Sequence, residues 1–147
     1  MKNKIMKISE YIKDIQSGLI LEMARINNKD DFNYDVFVYG GDSYGTGRNE
    51  HGEPHFHFSD NIKNPQKFNI SILIPTLKEW EQNKELYIIE SMNSNYTWVG
   101  LKKEKKEMIE WLDKISSYNK INTNLEFIII QWNVLNSDNK NVKKIGM

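Results

Sequence analysis

Glu50-His51-Gly52-Glu53-Pro54-His55-Phe56-His57-Phe58-Ser59 carries all three histidines of the chain within seven residues, and the reading of its second half decides the fold. If Pro54 to Ser59 is a strand, side chains alternate between its faces. Phe56 and Phe58 then point one way, and His55, His57 and Ser59 point the other. The aromatic side reads as core and the imidazole side as a polar surface. Two residues at i and i+2 on a strand have Cα atoms roughly 6.5–7 Å apart, close enough for both rings to reach one ion or one anionic group. His51, in the turn before the strand, would supply a third ligand.

The stretches on either side extend the sheet. Tyr34 to Tyr39 (Tyr-Asp-Val-Phe-Val-Tyr) has the aromatic and β-branched content of a strand. A loop with Gly40, Gly41, Gly45, Gly47 and Gly52 joins it to the histidine strand. Its backbone amides, with Ser43, Thr46 and Arg48, form a candidate anion cradle, although no Gly-Lys-Ser/Thr ending marks a nucleotide P-loop. Phe68 to Ile74 alternates cleanly, with Phe68, Ile70, Ile72 and Ile74 on one face and Asn69 and Ser71 on the other. Paired with the histidine strand, it would place Asn69 and Ser71 on the same polar surface as the imidazoles. Leu86 to Ser91 reads as a fourth strand, and Asn93 to Tyr96 as a turn.

Helical periodicity covers the rest. Ile5, Ile8, Ile12, Ile15, Leu19 and Met23 recur at three- and four-residue steps and predict an amphipathic helix over 4–27. Thr76-Leu77-Lys78-Glu79 has the spacing of a capping box opening a short helix through Trp80. Leu101, Met108, Ile109, Leu112 and Ile115 share one face of a predicted helix from Leu101 to Tyr118. Thr123-Asn124-Leu125-Glu126 is a second capping box, and Leu125, Ile128, Ile129, Trp132 and Leu135 follow at helical spacing, although the Ile128-Ile129-Ile130 run favours strand on propensity alone.

The expected class is therefore α+β, a single domain over 1–147. It has a small, mainly antiparallel sheet of about four strands within residues 34–92. A helix over 4–27 and a helical pair over 101–136 would pack on the apolar face of that sheet.

Composition narrows the function. The chain has 147 residues and no cysteine, which excludes disulfides, thiolate metal sites and cysteine nucleophiles. Acidic and basic residues balance at 20 each, and Arg25 and Arg48 are the only arginines. That neutrality argues against a dedicated duplex nucleic-acid binder. No secretion signal and no membrane-spanning run is read, so the expected setting is soluble and cytoplasmic.

The histidine strand resembles that of a small bacterial domain-of-unknown-function family whose hallmark is His-x-x-Pro-Pro-His-Phe-His. His51, Pro54, His55, Phe56 and His57 match it and Glu53 stands where its first proline would be. A helix ending near Glu110-Trp111-Leu112 and a second one with Glu126 and Trp132 are also similar, so the likeness runs from about Val36 to Leu135. The resemblance implies a toxin–antitoxin-type gene pair with no established activity. A structural, phage or mobile-element accessory role is a separate expectation, favoured if the apolar face of the first helix makes an intersubunit contact.

Three readings of the histidines stand side by side. They are structural pegs bonded to backbone and polar neighbours; or His51, His55 and His57 hold a divalent transition metal such as zinc, aided by Glu50, Glu53 or Asp60; or imidazolium, Arg48 and loop amides recognise an anion or nucleotide. A binding module would use this polar face for a metal, a small anionic ligand or a partner protein. A metal-dependent hydrolase or nuclease would use the metal to activate water, with Glu53 or Glu50 as base, and a metal-free variant would pair His55 and His57 as base and acid. Among the four tryptophans, Trp98 is the candidate stacking platform for a base.

Overall fold

The computed structural model describes residues 23–40, 53–92, 97–137 and 143–146. Five antiparallel strands form one sheet in sequence order: β1 (Met23–Arg25), β2 (Asp35–Tyr39), β3 (His55–Ser59), β4 (Asn69–Leu73) and β5 (Ile88–Ser91). Three helices accompany them: α1 (Leu77–Gln82) between β4 and β5, then α2 (Lys102–Leu112) and α3 (Asn124–Leu135). The protein is α+β with an antiparallel sheet.

Register sorts the side chains. Val36 pairs with Phe58, and Phe58 with Ile70; Phe56 pairs with Ile72. These five are at most 2% exposed and belong to one apolar cluster with Met108, Trp111 and Leu112 of α2 and Leu125, Ile128, Ile129 and Trp132 of α3. Phe58 sits amid rings, with Tyr34 at 5.3 Å, Phe68 at 4.8 Å and Phe32 at 6.1 Å between centroids; Phe32 in turn stacks on Trp111 at 4.6 Å. On the opposite face Phe37 pairs with His57 and His57 with Ser71. Every residue of β2 and β3 is buried, so neither face of the sheet's centre is an open surface.

Both capping boxes form. Thr76 and Thr123 each accept from the N–H of the glutamate three residues on, and Glu79 and Glu126 reach back to the cap N–H. The second box explains why Ile128-Ile129-Ile130 is helical. It satisfies two otherwise orphaned donors at the start of α3 and sets a phase that buries Leu125, Ile128, Ile129 and Trp132 together.

The structure corrects three expectations. Met23, Ala24 and Arg25 form β1 on the edge of β2 rather than the last turn of a helix over 4–27; residues 4–22 lie outside the described residues. The sheet has five strands rather than about four. The helix begun at Lys102 stops at Leu112, not Tyr118: Ile115 forms an isolated bridge with Thr123 and is 54% exposed, so its apolar periodicity carried past the true end.

Polar groups tie the layers. Trp111 Nε1 donates to Asp31 at 2.8 Å, Tyr34 Oη to Glu107 at 2.7 Å, and Lys67 pairs with Glu104 at 2.7 Å. Buried Asn27 gives its amide to Phe32 O and Tyr34 O and accepts from Val36 N–H, while Tyr118 Oη donates to Asn27 O. Asp35, 4% exposed, receives Arg25 and the Ile62 N–H at 2.7 Å each, and Lys29 at 3.0 Å.

Burial alone would push the Asp35 carboxyl up, but the Ile62 N–H, Arg25 and Lys29 outweigh it and hold it below the usual carboxylate range. Such a group adds stability above its ordinary titration near pH 3.9, and that contribution disappears as pH falls through the lower folded value. Asp35→Asn is therefore expected to lose about 1–2 kcal/mol at pH 7, discounted for the partly exposed cations. In urea unfolding, the gap to wild type should shrink below about pH 4; a gap independent of pH would contradict this role.

Candidate functional site

β3 turns both described imidazoles to the face opposite Phe56 and Phe58 because successive side chains alternate. Their ring centroids lie 5.2 Å apart in an edge-on arrangement. Both are buried, His55 at 8% and His57 at 6% exposure, rather than lining an accessible surface as a pair. His55 Nδ1 lies 2.9 Å from the Glu53 carbonyl, and its ring packs 5.3 Å from Trp132. His57 meets the Tyr39 ring edge-on at 4.5 Å and its Nδ1 lies 3.2 Å from Ser71 Oγ.

Ser71 continues the chain of contacts, donating to Glu90 Oε1 at 3.4 Å. Three adjacent strands thus present a line of imidazole, hydroxyl and carboxylate, 97% buried at Ser71 and exposed at Glu90. Valence limits the proton order. A serine hydroxyl has one hydrogen and a carboxylate only accepts: with that hydrogen directed at Glu90, Ser71 accepts from His57 Nδ1–H, and with it directed at His57, Nδ1 is the acceptor and the His57 hydrogen sits on Nε2. The first order is the one that joins all three groups in a line. The Glu53 carbonyl likewise accepts only, so His55 also carries its hydrogen on Nδ1.

Glu90 reaches this face through a bulge. Ser71 pairs with Glu90 and Ile72 with Ile88, so the register shifts by one residue and Ile89 is left over. Without the shift, Ile88 and Glu90, two residues apart, would share a face. With it, Ile88 is buried beside Ile72 on the core side while Glu90 faces Ser71 on the other.

Tyr39, His57, Asn69, Ser71, Glu90 and Ser91, with Ile62 and Met92, line a half-open cavity of about 310 Å³. Asn69 and Ser71 are thus brought together with His57. Glu53 is not: its carboxylate pairs with Lys143 and borders a different space of about 430 Å³. Asp60 is occupied by the backbone N–H groups of Gln66, Lys67 and Phe68, which outweigh its burial and hold its carboxyl low. His51, Glu50, Ser43, Thr46 and Arg48 lie outside the described residues. Among the described residues no group of three His, Asp or Glu side chains is arranged to hold a metal ion.

The tryptophans serve the fold. Trp80 Nε1 donates to Asp113, Trp98 Nε1 to Leu86 O, and Trp132 Nε1 to Lys143 O. Trp98, the expected stacking platform, packs against the core, with the Lys105 ammonium 5.8 Å from its ring centre. Glu90 and Tyr39 are site residues that the sequence did not single out. Tyr39 carries a signal, being two positions from Phe37 on a strand; Glu90 carries none, because the bulge reverses its period-two assignment.

Comparisons with protein-family models, with curated proteins and with solved structures returned no match. The proton order gives a direct test. Long-range ¹H–¹⁵N spectra of the neutral imidazoles should show the Nδ1–H form for both His55 and His57. Ser71→Ala should release that preference at His57 and leave His55 unchanged; an Nε2–H form of His57 in the wild type would contradict the line of contacts.

Proposed function

We propose that the protein is a small binding module whose ligand occupies the cavity beside His57, Ser71 and Glu90. The observation that carries this reading is the hydrogen-bonded line across β3, β4 and β5 that forms one wall of that space. Two of its members are buried polar groups, whose position is held by partners rather than by solvent. A cavity near 300 Å³ is at the lower end of small-molecule sites, which suits a ligand of amino-acid size.

The wider setting belongs to the same proposal. The match of His51, Pro54, His55, Phe56 and His57 to the family's strand supports a toxin–antitoxin-type gene pair, and a cytoplasmic setting or a phage accessory role is proposed beside it. The shared apolar cluster of α2, α3 and the strands supports a helical pair covering the sheet's apolar face. No helix among the described residues is long and apolar enough to cross a membrane.

The competing reading, a metal-dependent hydrolase or nuclease using His51, His55 and His57, has less support. Glu53, one of its two candidate bases, is drawn to Lys143 instead, and Glu50, the other, lies outside the described residues. Screening of polar fragments by saturation-transfer NMR should find ligands that Asn69→Ala and Glu90→Gln weaken, with the fold of each variant checked by circular dichroism. Fragment binding indifferent to both substitutions would overturn the cavity reading. One equivalent of purified metal, lost in His55→Ala and His57→Ala, would favour the hydrolase instead.

A further inference from the structure

We infer that the ligand of this cavity is a small organic cation, held by an ammonium group against the Glu90 carboxylate. The inference rests on the binding reading above and adds the charge of what is bound. Glu90 is the one formally charged side chain among the described residues lining the space. Of the residues expected to bind a ligand, Asn69 and Ser71 line the cavity and are uncharged; Ser43, Thr46 and Arg48 lie outside the described residues.

The hydrogen-bond inventory points the same way. Ser71 Oγ lies within reach of both Glu90 and His57 Nδ1, and with its hydrogen directed at Glu90 it presents oxygen lone pairs to the cavity. Glu90 is acceptor-only as a carboxylate, and the Asn69 amide carries both an acceptor and donors. An ammonium brings three donors to these acceptors. A phosphate or carboxylate would meet the Glu90 charge without a described cation to offset it. Tyr39 adds an aromatic residue to the lining, and an aromatic ring presents its face to a cation rather than to an anion.

The bulge makes this arrangement specific to the site. The leftover Ile89 is what brings Glu90 to the imidazole side. Bulges that re-aim one side chain recur beside functional sites. Here the re-aimed side chain supplies the cavity's charge.

The test is a ¹H–¹⁵N titration of the full chain at constant ionic strength with n-butylammonium, its neutral isostere butyramide, acetate and inorganic phosphate. Butylammonium is expected to shift the Ser71, Glu90 and Ser91 amides saturably. Glu90→Gln, at an exposed position that leaves the core intact, should weaken it about tenfold, as loss of a charge-assisted hydrogen bond predicts, and Glu90→Asp should restore part of the loss. Acetate or phosphate shifting these amides in place of the ammonium would overturn the cationic ligand and leave the binding site standing. Butyramide binding equally well, or unchanged affinity in Glu90→Gln, would do the same. No saturable shift with any of the four probes would overturn both the cation and the cavity as a binding site.

Discussion

Strand β3 has to satisfy two incompatible environments at once. All five of its residues are buried, yet Phe56 and Phe58 face an aromatic and aliphatic core while His55, His57 and Ser59 turn the other way, where each has a polar contact and the two imidazoles also pack on Trp132 and Tyr39. Alternation makes this workable only in one register. A slip of a single residue would drive two imidazoles among Tyr34, Phe68 and Ile70 and expose two phenyl rings to Ser71 and Glu90. Stranding buried polar rings without partners costs on the order of a few kcal/mol each. The cross-strand partners of β3 are therefore held by both faces together.

From that register the functional geometry follows in steps. β4 pairs with β3 so that Ser71 stands opposite His57, and the β5 bulge then sets Glu90 opposite Ser71. Each step uses a different device. Antiparallel pairing supplies the first contact, and one surplus residue supplies the second. The result is a continuous polar line running from a buried imidazole to an exposed carboxylate, alongside a cavity of matching polarity. Trp111 of α2 stacks on Phe32, which in turn joins the aromatic set around Phe58.

Much of this was legible in the sequence, for physical reasons that can be named. Period-two alternation around Phe56, His57, Ile70 and Ser71 is strong because each strand has one wholly apolar side, and it yields both the strands and the shared face of His57, Asn69 and Ser71. Thr76/Glu79 and Thr123/Glu126 mark helix starts because a short side chain there answers a specific orphaned N–H. Periodicity is weaker at ends. Met23 closes a helical pattern numerically but pairs with Tyr39 as a strand, and Ile115 continues a helical stripe past Leu112 without helical backbone. Glu90 was beyond reach for a deeper reason. A bulge breaks the rule that makes strands readable, and nothing in Ile88-Ile89-Glu90-Ser91 says which residue is surplus. The commitment of Glu53 to Lys143, 90 positions away in the chain, is a tertiary contact without a local signal.

The register of β3 on β4 is the point on which the account turns, and side-chain nuclear Overhauser contacts report it most directly. The Ser71 Hβ protons should show contacts to the His57 ring and to the Glu90 side chain, with the His57 ring also close to Tyr39. Contacts from Ser71 Hβ to the Phe56 or Phe58 ring in their place would mean the strand is turned over, and the polar line and its cavity would not exist.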